Sequence, residues 1–358
     1  MTPTMATPRR APRRTALLLA ALATTATAAL TTGCGGPGGV ELGTDWKGAQ
    51  TFALAKVSGL VTVVGINPGK ATAESLVAVP TQEDDDEVIS PQITELADGR
   101  RLLSVPRKDG KPDRLYEVNR KDHTLDGKGD TEGLRDLVPG KTRIAAVAGL
   151  PGKRQGGSGG DTSVLIRDAA NRTTQREAKI PGTITLTASD PAASDKVCLG
   201  ARSGSGTTVT VLDLTDGATR TITAPSGADV QELACPNGHP VLAGTHKPAG
   251  SGALKVTLER HADHSVLTAQ GGRVDGVAAT GNSVVAAIAT AGHTELVELD
   301  ATTGRELHRT KLPDLPDSLG IRHTPSGWLV FTEKTVTRVD LTSGKSKTFD
   351  LPGELLDF

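Results

Sequence analysis

Thr210-Val211-Leu212-Asp213-Leu214-Thr215-Asp216-Gly217 is the stretch whose reading decides the fold, because the chain repeats it. It returns as Val297-Glu298-Leu299-Asp300-Ala301-Thr302-Thr303-Gly304 and as Thr337-Arg338-Val339-Asp340-Leu341-Thr342-Ser343-Gly344. Weaker copies centre on Asn67, Asn119, Asp168 and Glu259. The seven anchors are spaced 52, 49, 45, 46, 41 and 40 residues apart, a period that signals a repeat architecture. The chemistry of the motif is that of a turn between strands. Alternating β-branched residues make an extended segment with two faces. The Asp or Asn then caps backbone N–H groups two residues on, and Gly takes the positive φ that closes the turn.

A second hairpin precedes each strong anchor. Ala279-Thr280-Gly281-Asn282 leads into Val284-Val285-Ala286-Ala287-Ile288, and His323-Thr324-Pro325-Ser326-Gly327 leads into Trp328-Leu329-Val330-Phe331. Cys235-Pro236-Asn237-Gly238-His239 and Ala97-Asp98-Gly99-Arg100 play the same part. Each unit therefore reads as four antiparallel strands, one blade of an all-β β-propeller. The anchors give seven four-stranded blades, with six or eight as the alternatives. The ends of the repeat region give a sharper expectation. Thr51–Lys56 matches a second strand and has no first strand before it, whereas Glu354–Phe358 follows a complete seventh blade. Residues 354–358 are expected to supply the innermost strand of the first blade, closing the ring and covering its open edges.

Turns such as Asp300-Ala-Thr-Thr-Gly-Arg305 resemble those of YVTN-type and quinoprotein-like propeller repeats, across nearly the whole chain after its leader. The resemblance implies a propeller. Families that share it include binding scaffolds, envelope assembly lipoproteins, lactonases and quinone-dependent dehydrogenases, so the fold does not select a function.

The N-terminus reads as an address. Arg9, Arg10, Arg13 and Arg14 precede a mostly apolar run, Ala16 to Leu30, with no acidic residue before Cys34. A basic start, a short apolar centre and a small residue at its end make a secretory signal over residues 1–33. Leu30-Thr31-Thr32-Gly33-Cys34 resembles a lipobox, which implies cleavage before Cys34 and acylation of its thiol. Thr31 stands where that motif has an aliphatic residue. Arg13-Arg14 resembles a twin-arginine export signal. Gly35-Gly36-Pro37-Gly38-Gly39 opens a flexible tether, read as residues 34–49, before a propeller over 50–358. The expected location is the extracytoplasmic face of the cell membrane through the lipid, or the exterior if the lipobox goes unused.

The chain carries 40 basic and 41 acidic side chains. Removing the leader takes four Arg and leaves 36 basic against 41 acidic groups, a charge of −5. That balance excludes the net basic charge that would favour nucleic acid or an anionic bilayer, so membrane attachment falls to the lipid. With two Trp, one Tyr and four Phe, the core must come from Val, Leu, Ile and Ala. Once Cys34 is assigned to lipid, Cys198 and Cys235 are an even pair in an oxidising compartment, which favours a disulfide. Two separate buried thiols are the alternative.

Candidate sites are few. Glu83-Asp84-Asp85-Asp86-Glu87 is the strongest charge run, and it lacks the spaced ligands of a calcium loop. Asp84, Asp85 and Asp86 share one expected loop face with Lys108 and with Lys153 and Arg154 of a Gly-rich connection. Any binding surface is expected there. His261-x-x-His264 reads as a solvated hairpin tip, with no third ligand for a metal. Glu232, Asp275, Arg322 and His323 are the candidates for the central channel, where convergent charges would favour an enzyme. No Gly-x-Ser-x-Gly elbow occurs. The scarcity of aromatic residues argues against a quinone or carbohydrate platform, and no cofactor is expected. The reading is a monomeric binding or scaffold module for a protein or envelope ligand. A channel hydrolase or lyase is the alternative, followed by a quinoprotein-like dehydrogenase.

Overall fold

The computed structural model describes residues 40–80, 91–107, 112–131, 134–148, 160–203, 206–224, 230–244, 254–313, 315 and 318–358. These residues form seven four-stranded sheets arranged as the blades of a propeller. Among them no helix is long and apolar enough to cross a membrane.

In six blades the third strand ends on the anchor of the repeat: Leu60–Asn67, Asp113–Asn119, Thr162–Asp168, Gly206–Asp213, His293–Asp300 and Thr335–Asp340. The anchor carboxylate caps the turn as its chemistry requires. Asp300 Oδ1 accepts from the N–H groups of Thr302 and Thr303 at 2.9 and 2.7 Å, and Asp168 Oδ1 from those of Ala170 and Asn171 at 2.9 and 3.0 Å. Four residues after each anchor the backbone is left-handed. Gly217, Gly304 and Gly344 hold that position in the strong copies, with φ of 77°, 70° and 69°. Ala71, His123 and Arg172 hold it in the weaker ones, at 57°, 59° and 62°.

A blade lies between two neighbours, so its second strand is buried on both faces and must be apolar throughout. Phe52 to Ala55 and Val284 to Ile288 are fully buried runs of this kind. Side chains from adjacent blades interlock. Phe52, Leu54 and Val63 of the first blade pack with Ile93, Leu103 and Val105 of the second. Ala53, Val64 and Ile66 pack on the other side with Leu329, Phe331 and Val336 of the seventh.

The ring closes through the C-terminal strand, as the repeat phase required. Glu354–Asp357 pairs antiparallel with Thr51–Val57, placing Leu54 opposite Asp357 and Lys56 opposite Glu354. Phe358 completes the seam. Its ring stacks on Phe331 at 4.2 Å and covers Gly320, where a Cβ would come within 2.4 Å of it.

Two expectations are corrected. The fifth blade does not follow the antiparallel order. Lys255–Arg260, expected as its third strand around the anchor Glu259, is the outermost strand. The chain returns as Ser265–Gln270, which inserts between it and Val241–Gly244 and runs parallel to the latter. The tether does not run free to residue 49. Val40, Trp46 and Ala49 are buried, and the Gly43 N–H donates to Ser75 O on the outer strand of the first blade. Arg120 grips this segment through the carbonyls of Trp46, Lys47 and Ala49.

Candidate functional site

The innermost strands face the axis of the ring: Glu354–Asp357, Gln92–Glu95, Leu134–Pro139, Ile184–Ser189, Val230–Ala234, Arg273–Thr280 and Gly320–Thr324. Half of the backbone N–H and C=O groups of such a strand point into the channel rather than to a sheet partner. Something must satisfy them, and polar side chains of neighbouring blades are one source.

Asp275, one of the expected channel residues, is buried on the inner strand of the sixth blade. Its Oδ2 accepts from the Ser318 N–H at 3.3 Å, at the approach to the seventh blade, and Oδ1 accepts from Arg273 Nε at 2.6 Å. Asp357 repeats the arrangement one seam further on. Its Oδ2 accepts from the Ile93 N–H at 2.7 Å, so the closing strand of the first blade holds the inner strand of the second. Gln92 Nε2 donates to Asp136 and Thr94 Oγ1 to Leu137 O, joining second blade to third. Arg322 crosses from the seventh blade to the first, donating to Thr51 Oγ1 at 3.0 Å and Phe52 O at 3.4 Å. Its guanidinium lies 5.8 Å from the Phe358 ring.

Arg322, Glu95, Asp136 and Asp357 thus converge from four blades. Burial pushes the Asp357 carboxyl up to about 6, aided by the negative charge of Asp136 and opposed by the Ile93 N–H and Arg322. Glu95 pairs with Arg101 at 3.1 Å. Burial lowers the pKa of both Arg101 and Arg322, and the charge of Glu95 opposes it. Beyond the inner strand of the fourth blade the carboxyl of Asp190 is buried and its pKa is raised by that burial, opposed by nearby backbone N–H groups of Ala193, of Asn237 in the fifth blade and of Gly281 in the sixth. Its Oδ2 has no hydrogen-bond partner among the described residues.

Of the remaining expected channel residues, Glu232 lies on the inner strand of the fifth blade. His323 is exposed and leans on Trp328, with ring centroids 5.1 Å apart. Sequence reasoning missed Gln92, Glu95, Asp136, Asp190 and Asp357. The last was within reach, because the closing strand was identified and Asp357 is its sole carboxylate beside Glu354. Cys198 and Cys235 are joined, with Cα atoms 5.8 Å apart, linking the fourth blade to the first turn of the fifth. Cys34, Asp84, Asp85, Asp86, Lys108, Lys153 and Arg154 lie outside the described residues. Among the described residues no three His, Cys, Asp or Glu side chains are grouped to hold a metal ion.

No protein-family model matches the chain, and no curated protein does. Solved structures do. The dihydro-heme d1 dehydrogenase NirN in complex with DHE is similar at 13% identity and TM-score 0.50, over 88% of this chain and 75% of that one. The β-propeller domain of the Trilobed protease from Pyrococcus furiosus is similar at 12% identity and TM-score 0.46, over 83% and 89%. TolB from Acinetobacter baumannii is similar at 13% identity and TM-score 0.46 over 74% of this chain, which spans 64% of the TolB chain. At these identities the likeness is one of fold: the chain is a seven-bladed propeller.

Proposed function

We propose that the protein is a lipid-anchored, extracytoplasmic propeller that binds a protein or a cell-envelope component. The observation that carries the reading is the use of the channel charges. Asp275, Asp357, Gln92 and Arg322 each bridge one blade to the next, and their polar atoms serve the ring. A ring stitched in this way is a rigid frame, suited to presenting its outer loops to a partner. The anchor rests on Gly33-Cys34 and the basic, apolar leader before it. The rival reading, a channel hydrolase or lyase, draws on the convergence of Arg322, Glu95, Asp136 and Asp357. Glu95 and Asp136 are themselves bonded, to Arg101 and Gln92, which favours the frame.

Two measurements test the reading. Cells fed labelled palmitate are expected to label the wild-type chain and not Cys34→Ser, and the variant should leave the membrane fraction. Photo-crosslinking from the loop face, with mass spectrometry of the products, should return one recurrent protein or envelope neighbour. Turnover of a small substrate that Arg322→Gln abolishes without unfolding would overturn the binding reading in favour of the rival.

A further inference from the structure

The fifth blade gathers three histidines that are scattered in the sequence. His239 precedes the second strand, while His261 and His264 bracket the turn of the outer hairpin. His239 Nε2 and Ser265 Oγ lie 3.0 Å apart, and Ser265 is fully buried. The Ser265 N–H donates to Pro240 O at 2.8 Å. These contacts fasten the lower end of the seam where the hairpin 255–270 joins the ring. The rest of that seam is short. It has three parallel register pairs, Val241 with Ser265 to Ala243 with Leu267, where the sixth blade has eight. Parallel pairing is also slightly weaker per residue.

Charged groups face this seam from every neighbouring element. Arg220 reaches in from the fourth blade, donating to Asp263 O at 3.1 Å, and Arg260 comes from the hairpin itself, donating to Thr302 O of the sixth blade. Asp263 and Glu259 are the facing carboxylates. Asp263 Oδ1 pairs with His264 Nδ1 at 2.7 Å, and Glu259 lies 3.8 Å from His261 Nε2. On the remaining side, Lys196 packs its chain on Gly238 and points its ammonium toward Asp213 at 3.9 Å, and the Asp190 carboxyl lies near the Asn237 N–H. The rings of His261 and His264 are stacked at 4.6 Å. Among the described residues His264 Nε2 is buried with no hydrogen-bond partner. Burial and the nearby Arg260 and Arg220 push the pKa of His239 down.

We propose that acidification releases the outer hairpin of the fifth blade, residues 255–270, from the ring, with His239 as the trigger. The sign follows from linkage. The fold favours neutral His239, so its contribution is present above the ordinary histidine pKa of about 6.5 and is lost as pH falls through the lower folded value. Each pKa unit of depression is worth a tenfold change in the opening equilibrium.

The test is hydrogen exchange of the mature chain with its disulfide intact, at pH 7.5, 6.5 and 5.5, corrected for intrinsic rates. Peptides within 255–270 are expected to lose protection several-fold, with a ceiling of about tenfold for one histidine, relative to 283–300 between pH 7.5 and 5.5. The variant His239→Asn should remove that difference. Equal behaviour of the two regions in the wild type at all three pH values overturns the proposal. So does an unchanged pH dependence in the variant. If His239→Asn does not fold, the variant His239→Gln must at least halve the wild-type ratio, and failure to do so overturns the proposal equally.

Discussion

Replacing Asp357 by Asn should make the ring's stability less sensitive to pH, by an amount the structure sets. Asp357 sits on the closing strand with its Oδ2 on the Ile93 N–H, and burial lifts its carboxyl to about 6. An unfolded Asp titrates near 3.9. The folded value is the higher one, so the native state binds the proton more tightly. The stabilisation this brings is complete below about pH 4 and is lost as pH rises through 6. Two pKa units at 1.36 kcal/mol each amount to about 3 kcal/mol. For a domain of this size that is about 5 °C in Tm, at roughly 2 °C per kcal/mol. Asn keeps an oxygen for the Ile93 N–H and carries no charge to desolvate. The stability of Asp357→Asn relative to wild type should therefore rise by about 3 kcal/mol between pH 4 and 7.5. Urea unfolding followed by circular dichroism at four pH values reads the difference directly. A difference that stays constant across that window would refute the claim that this carboxyl is desolvated by ring closure.

Three further outcomes follow from the packing. Gly320→Ala should cost about 2 kcal/mol, because the new Cβ meets the Phe358 ring at 2.4 Å. Adding Phe358→Ala in the same chain should relieve the clash with the ring and leave the backbone strain at φ 153°, so the glycine substitution should cost less there than in the wild type, a non-additivity that thermal melts can measure. Ala71→Gly should stabilise by about 0.5–1 kcal/mol, since Ala71 is held at φ 57° in a turn where the strong repeats place Gly. Chemical denaturation midpoints check it. Cys198→Ser with Cys235→Ser should cost about 3–4 kcal/mol from a loop of 37 residues, visible as a lower Tm than that of the oxidised wild type.

The ring was legible because its strongest signals are local. An Asp cap, a left-handed residue four positions on and an alternating strand lie within eight residues, and they recur. The weaker copies were weaker for a physical reason: Ala71, His123 and Arg172 take the left-handed position without being Gly. The inverted order in the fifth blade had a signal that went unused. Lys255-Val-Thr-Leu-Glu-Arg260 has the charged composition of outer strands such as Lys345-Ser-Lys-Thr-Phe-Asp350, with Leu258 its one buried residue. Third strands such as Thr335–Asp340 bury half of their residues and leave none fully exposed. The channel was harder to read. Asp275 and Arg322 were visible as inner-strand charges, but their partners, Ser318, Thr51 and Phe52, are set by how blades pack on one another. The same holds for Trp46, whose ring stacks on His123 of the second blade.

The arginine contacts of the turns bear on where such a ring opens. Arg100 reaches Ala169 O, Arg143 reaches Leu214 O and Thr215 O, Arg220 reaches Asp263 O, and Arg260 reaches Thr302 O. Each runs from one blade to a turn carbonyl of the next, a charge-assisted bond to a group that the turn leaves without a sheet partner. Arg338 to Pro68 O carries the series from the seventh blade into the first. The closing seam therefore has the same kind of arginine fastening, and it adds the Phe358–Phe331 stack. Sheet pairing at the closure is as short as inside the fifth blade: the closing strand and the hairpin 255–270 each join their neighbour through three register pairs, and the closing pair also carries a register shift. The two joints differ in how they answer to pH. The Asp357 carboxyl on the closing strand is raised to about 6 by burial, so acid strengthens that joint, whereas burial and two nearby arginines push the pKa of His239 down, so acid weakens the other. Opening on acidification should begin within the fifth blade, ahead of the joint between the ends.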